Sequence, residues 1–514
     1  MTSVDFARIR TDWSTFLRSI VTERQRAPSK CAATTCGTLA RFLLEGTSHE
    51  LRSLDSRNVN SGKTERAPKT PAVAPAESSS LVRTIGRWSL TALMINSIIG
   101  SGIFGLPSVV SGRVGHWAPL AYLIAGIGMA IITGCFCEVS SQFRETGGQY
   151  LYARTTLGKF WGIQIGWLTW LSRIAAASGT ANLFTTYLGQ VAPRATHPLP
   201  RALILTALIG VLAAVNYVGV KSGARFSDFF TATKVLLLSA FVISGLVWIK
   251  MHGAVQPAPL THVIDARDWL EAILVLVYAY GGFEAVLLAT GEMRDPRRDA
   301  PFALLAGLAV VAVIYSLIQV VITGTLVNPA ATMKPIAESA GHIFGSGAAA
   351  LIALGALVSI YGYLSANMLH TPRLTFAMAE RGEFPAIFAR IHPRFKTPYF
   401  SILLYTALTL AFTLWGNFRW NITLSAIARL FTYSSGAIAL LVLRRRAPHA
   451  DAFRLPGGRV LAVVAILFCV VLLVRAPMSS SGVVIATAAL ATVNWAAVRT
   501  NVPTATPDAD GRSA

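Results

Sequence analysis

From Trp88 to about residue 498, apolar runs of roughly 18 to 25 residues alternate with short polar connections. At about 1.5 Å of rise per residue, each run is long enough for a helix to cross a hydrocarbon layer of about 30 Å. The pattern predicts an all-α membrane protein with about twelve transmembrane helices. Their ranges are 88–111, 117–140, 160–189, 200–219, 226–250, 269–292, 300–327, 341–371, 398–416, 420–443, 458–475 and 480–498. The third and eighth runs are long enough to tilt or to project beyond the bilayer.

Two of these runs are interrupted. The first contains Ile99-Gly100-Ser101-Gly102-Ile103 and the sixth contains Tyr278-Ala279-Tyr280-Gly281-Gly282-Phe283-Glu284. Unpaired backbone groups are too costly to face lipid, so such breaks must line a protein cavity. The alternative for Gly100 and Gly102 is that small residues simply let helices pack closely; the matching break at Gly281-Gly282 argues against it. Breaks in spans one and six have the offset expected of two inverted copies, spans one to five and six to ten, although no identity between the halves is visible. A helix restarting after Gly100-Ser101-Gly102 presents amides that suit a carboxylate, and carbonyls freed at the second break suit an ammonium. Together they suit a zwitterionic amino acid.

Charge within apolar runs singles out three further residues. Glu284 follows the second break directly and either caps the unwound backbone or carries a proton. Lys234, about eight residues into span five, either titrates or snorkels to the interface. Arg173, near the middle of span three, either pairs with Glu284 or binds an anionic substrate group, the structural pair being the expected role. Tyr278, Tyr280 and Phe283 either flank the pocket or pack against neighbours. His370 and Tyr363 on span eight either join a proton path or are satisfied locally.

Composition fits this picture. Over 514 residues, 53% are hydrophobic and 13% charged, which excludes an ordinary soluble domain. The net charge of +21 does not signal a nucleic-acid partner, because much of the excess lies in short loops between apolar runs. Alternate loops are rich in Arg and Lys, from Arg144, Arg154 and Lys159 to Arg444, Arg445 and Arg446. Both termini are therefore expected in the cytoplasm, with the chain in the cell's inner or plasma membrane. Residues 1–84 mix both charge signs with Ser, Thr, Pro and Ala and read as a disordered cytoplasmic extension, with a short amphipathic helix or a later start codon as alternatives. A cleaved signal peptide is not expected. Residues 85–498 form the transport domain of this reading, and 499–514 a cytoplasmic tail. The five cysteines, among them Cys31 and Cys36, show no metal or disulfide spacing. No phosphate-cradling motif is present, so neither a nucleotide nor any other cofactor is implied, and no covalent chemistry.

Further segments complete a resemblance. They are Cys137-Glu138, Thr146-Gly147-Gly148-Gln149-Tyr150-Leu151-Tyr152, Gly166-Trp167, Gly219-Val220-Lys221, Gly282-Phe283-Glu284 and Glu292-Met293-Arg294-Asp295-Pro296-Arg297-Arg298. Arg381-Gly382-Glu383-Phe384-Pro385, Thr397-Pro398-Tyr399 and Arg454-Leu455-Pro456-Gly457-Gly458 follow. In this order and spacing, over residues 85 to 475, the chain resembles the amino acid, polyamine and organocation transporters. The resemblance implies the LeuT-type 5+5 inverted-repeat fold with broken helices 1 and 6. It also implies a substrate carboxylate on the first-span glycine segment, a substrate amino group on the broken sixth span, and Lys234 standing where sodium sits in sodium-coupled relatives. That favours a carrier that is proton-linked or sodium-independent. Two positions depart from the family pattern: Phe143-Arg144-Glu145-Thr146 lacks a common proline, and Gly281 replaces a polar or bulky residue, which is expected to leave that side of the site open.

The expected function is a secondary active amino acid transporter working by alternating access, with protons as candidate coupling ion and the lipid bilayer as its surroundings. An amino acid/amine exchanger is the alternative within transport, and an amino acid sensor that does not transport is the alternative outside it. The residues expected to bind substrate are Ile99, Gly100, Ser101, Gly102, Tyr278, Tyr280, Gly281 and Gly282; Lys234, Glu284 and Arg173 carry coupling or structural charge. Oligomeric state, side-chain preference and direction of flux are not encoded legibly.

Overall fold

The computed structural model describes residues 86–143, 147–219, 224–256, 258, 262–288, 293, 295–446 and 452–499. The expected extension 1–84, the tail from 500, and the motif residues Thr146, Val220, Lys221, Glu292 and Arg294 lie outside the described residues. Apart from short 3-10 turns, regular structure among the described residues is α-helical, in the order α1 (Arg87–Ile98), α2 (Gly102–Val114), α3 (Ala118–Ser141), α4 (Gly148–Leu157), α5 (Lys159–Leu188), α6 (Pro198–Val218), α7 (Ala224–His252) and α8 (Ala266–Tyr280). There follow α9 (Glu284–Leu288), α10 (Pro296–Thr325), α11 (Pro335–Phe344), α12 (Ser346–Glu380), α13 (Tyr399–Trp415), α14 (Phe418–Arg445), α15 (Gly458–Val474) and α16 (Met478–Arg499).

Local chemistry sets several of these boundaries. Asp265 opens α8 with a reciprocal cap: its carboxylate accepts from the Asp268 amide at 3.0 Å, and Asp268 returns the bond at 3.3 Å. That amide holds the exposed Asp265 carboxyl below its ordinary range. Asn417 caps α14 by accepting from the Trp420 amide at 2.9 Å. Gly457, in the left-handed region at φ 64°, turns the chain into α15.

Seven helical stretches among the described residues are long and apolar enough to cross a membrane, and α13 and α15 are shorter apolar helices. The chain is an integral membrane protein. Fewer stretches meet this criterion than the twelve runs expected, for two physical reasons. The first and sixth runs are divided, so that α1, α8 and α9 are individually short. Helix α5 has 30 residues but carries Gln164, Arg173, Asn182 and many Ser and Thr side chains, and it falls short in apolarity rather than length. It is an interior helix, packed along α14 and α12, and a helix surrounded by protein needs no lipid-compatible surface. The outer helices show the converse: only 22% of the apolar window of α6 is buried against protein, against 67% for α14. Large aliphatic side chains such as Leu203, Leu236 and Ile243 are more than 60% exposed on that outer surface, as a lipid-facing belt requires.

The sequence motifs meet in two buried polar locks. Glu138 at the end of α3 takes a fork from Arg444, at 2.8 and 2.6 Å, and the Leu455 amide at 2.8 Å. Glu383 binds the Tyr150 hydroxyl, and Arg154 donates to it at 2.5 Å. The first ties α3, α14 and the approach to α15; the second ties α4 to the turn after α12. Both carboxylates are almost fully buried, where an unpaired charge would be severely destabilising.

Candidate functional site

The two interruptions expected in the chain are present, and they touch. Helix α1 closes with the Ile99 amide on the Ile95 carbonyl at 2.9 Å, and Gly100 turns back to Ile98 at 2.7 Å. Helix α2 restarts on the Ser101 carbonyl, which accepts from Phe104 at 3.1 Å and Gly105 at 3.2 Å. Between them, the amides of Ser101 and Ile103 have no acceptor among the described residues. On the other side, α8 ends at Tyr280, Gly281 is extended, and Gly282 adopts φ 127°, a conformation costly for any residue with a Cβ. Helix α8 packs against α2. A Cβ on Gly102 would lie 2.8 Å from the Ala279 Cα, and one on Gly282 would strike the Ser97 carbonyl. The glycines are there because the two broken backbones meet.

Three hydroxyls close over the first break. Ser101 Oγ lies 2.8 Å from Thr180 Oγ1 and 2.6 Å from the Tyr278 hydroxyl, and the last two are 3.1 Å apart. All three side chains are buried. Tyr280 turns elsewhere and donates to the Tyr122 carbonyl at 2.9 Å, against the ring of Tyr315. Tyr315 in turn donates to the Ile98 carbonyl at 3.1 Å.

Lys234 on α7 does not snorkel. Only 3% exposed, its ammonium donates to the Ile99 carbonyl and to Asn96 Oδ1, each at 2.9 Å. A cation thus sits on carbonyl oxygens at the C-terminal end of α1, where the helix dipole is negative.

Glu284 is a cap, and its ion partner differs from the one expected. One carboxylate oxygen accepts from the Gly282 amide at 2.8 Å; the other accepts from Arg429 and from the Tyr433 hydroxyl, both at 2.7 Å. The expected pair between Arg173 and Glu284 is therefore corrected: Arg429 on α14 takes that role, directly opposite the second break. The space beside Gly281 is likewise not open, because a Cβ there would collide with the Arg429 guanidinium. Arg173 lies nearby and shares a narrow cavity with Glu284, Tyr150, Thr169 and His370.

Sequence reasoning missed Arg429, Thr180, Tyr433 and Asn96. Arg429 was accessible to the rule that selected Arg173, since it too is a charge deep within an apolar run. Thr180 and Tyr433 had no such signal, because hydroxyl residues are common in membrane helices and only packing reveals which ones converge.

Discontinuous membrane helices that meet at a buried polar centre recur in transporters. Comparison with known proteins narrows the class: residues 85–498 match the amino acid permease family, and the chain belongs to that family. It is 30% identical to the serine/threonine exchanger SteT of Bacillus subtilis, over 72% of this chain and 85% of that one. It is 28% identical to the methylthioribose transporter of the same organism, with coverages of 79% and 90%. To the branched-chain amino acid permease BcaP, also from Bacillus subtilis, it is 26% identical, with coverages of 78% and 90%.

Proposed function

We propose that this protein is a secondary active amino acid carrier that rocks two helix groups around the paired breaks, with spans one to five and six to ten forming the inverted repeat. The substrate carboxylate binds the amides of Ser101 and Ile103, within the segment Ile99-Gly100-Ser101-Gly102. The substrate ammonium faces the backbone freed around Tyr278, Gly281 and Gly282. Twelve spans, cytoplasmic termini and a plasma-membrane location belong to the same reading.

The observation that carries it is Lys234, whose ammonium lies 2.9 Å from the Ile99 carbonyl at the broken end of α1. A fixed cation on those oxygens supplies the charge that a bound sodium ion would otherwise bring, which supports sodium-independent or proton-linked operation. Two relatives named for amino acids, one as a serine/threonine exchanger and one as a branched-chain permease, support a small or aliphatic neutral substrate. The exchanger also supports obligatory exchange as a second reading. An exchange partner that is an amine is disfavoured by Arg429 and Arg173, which outnumber Glu284 near the second break.

The test is uptake of labelled amino acids into proteoliposomes under a proton gradient, a sodium gradient, or internal amino acid alone. Proton-driven accumulation supports symport, and uptake that requires internal substrate establishes exchange. Saturable binding without uptake under any condition overturns the carrier in favour of a sensor.

A further inference from the structure

The cavity beside Glu284 holds polar groups that the proposed transport site does not use. Arg173 lies about 14 residues into α5, roughly 21 Å along the helix at 1.5 Å per residue. Its carbonyl accepts from Asn367 at 3.2 Å, but its guanidinium has no hydrogen-bond or ion-pair partner among the described residues. Arg173 is only partly buried, and the nearby Glu284 carboxylate, with which it interacts electrostatically, is already held by Arg429; charge left unbalanced at this depth is costly.

Two other lining side chains are also unsatisfied. Gln149 is 5% exposed and Thr169 9% exposed, and the Gln149 amide nitrogen and the Thr169 hydroxyl have no partner among the described residues. Both line the same cavity as Arg173 and His370. Among the described residues, the carboxylates of the surrounding wall are already engaged. Glu284 is engaged by Arg429, Tyr433 and Gly282, and Glu383, behind Tyr150, is engaged by Tyr150 and Arg154. Donors and a net positive charge, Arg173 and Arg429 against the one carboxylate of Glu284, therefore converge on a space roomy enough for a water or a group little larger. A water would satisfy the amide and the hydroxyl but would leave the arginine's charge unbalanced.

We propose that this cavity is a second anion subsite, distinct from the amides of the first break, and that it takes a single carboxylate or a halide-sized monovalent anion. Arg173 supplies the charge, while Gln149 and Thr169 direct hydrogen bonds at the anion. The carboxylate comes either from a transported amino acid leaving the first break or from free anion in solution. The subsite goes beyond the transport reading, and its existence can be measured without any transport.

The experiment uses the purified full-length protein in detergent, with thermal unfolding followed as chloride or acetate replaces bulky gluconate at constant ionic strength. The expected result is a saturable rise in melting temperature whose midpoint concentration increases roughly tenfold or more in Arg173→Gln, the loss of one charge-assisted contact. Gln149→Leu and Thr169→Val keep the charge and each weaken the anion several-fold, which maintains the test should Arg173→Gln fail to fold. Absence of a saturable rise in the parent protein, or unchanged midpoints in all variants that fold, overturns the subsite. Given an anion effect, competition between acetate and a bound amino acid assigns the site to the substrate's carboxylate, and independent binding assigns it to free anion. Neither outcome depends on whether the protein transports, so failure here is distinguishable from failure of the carrier reading.

Discussion

Replacing Arg429 with Met isolates the contribution of the ion pair at the second break. The guanidinium lies 2.7 Å from Glu284, and both side chains are largely buried. At that separation and an effective dielectric near 20, the gross attraction is about 6 kcal/mol. Much of it is offset because the variant no longer has to desolvate a guanidinium, and Glu284 keeps the Tyr433 hydroxyl and the Gly282 amide. The net loss is about 3 kcal/mol, the low end of the range for breaking one side of a buried pair. Glu284→Gln alone has a similar cost, since it leaves Arg429 as the orphan. The double variant leaves no buried charge at this position and recovers at least half of the loss; at about 1.5 kcal/mol or less, against about 6 for the two single losses together, it shows a coupling of about 4.5 kcal/mol or more. Melting temperatures of the four proteins in one detergent supply the cycle: the double variant melts above Arg429→Met. Additive losses, with the double variant below both singles, would refute the argument that the pair holds the break.

Other substitutions test the neighbouring contacts. Lys234→Ala removes the donor from Ile99 and Asn96 and is expected to reduce uptake, or alter its pH profile, more than it lowers melting temperature; wild-type uptake with an unchanged profile removes Lys234 from coupling. Ser101→Ala deletes contacts to Thr180 and Tyr278 and costs about 1 kcal/mol in stability, while the amide proposed to hold the carboxylate remains and amino acid affinity is retained; a melting temperature equal to the parent's contradicts the hydroxyl cluster, and loss of binding in a stable variant assigns the hydroxyl, not the amide, to the substrate. Gly102→Val must displace the Ala279 backbone and costs about 1–3 kcal/mol, so lowered expression accompanies any loss of binding, and a variant as stable as the parent contradicts the close approach. Glu138→Gln weakens the fork from Arg444 and is expected to lower melting temperature while leaving the apparent affinity for amino acid unchanged in the protein that folds; a selective change in affinity would link that lock to the site.

The breaks were legible in the sequence because their signal is local: glycines inside runs otherwise apolar enough to span a bilayer. Lys234, Glu284 and Arg173 were legible for a similar reason, since charge in such a run is costly wherever it points. Partner choice was not legible. Glu284 and Arg429 are 145 positions apart, and nothing in either segment distinguishes Arg429 from Arg173 as the partner; the helix packing that sets α14 against α8 decides it. Gly281 shows the limit most directly. Read alone, a missing side chain implies room for substrate, yet here it makes room for a guanidinium arriving from another helix. The consequence for mechanism is that each break is held by a fixed cation from outside its own span: Lys234 grips carbonyls at the end of α1, and Arg429 grips the carboxylate that caps the restart at α9. Each unwound segment thus has protein groups that hold its shape. Binding energy can therefore be directed to the difference between conformations rather than to ordering the site. In the proposed carrier, these two cations hold both breaks through binding and release.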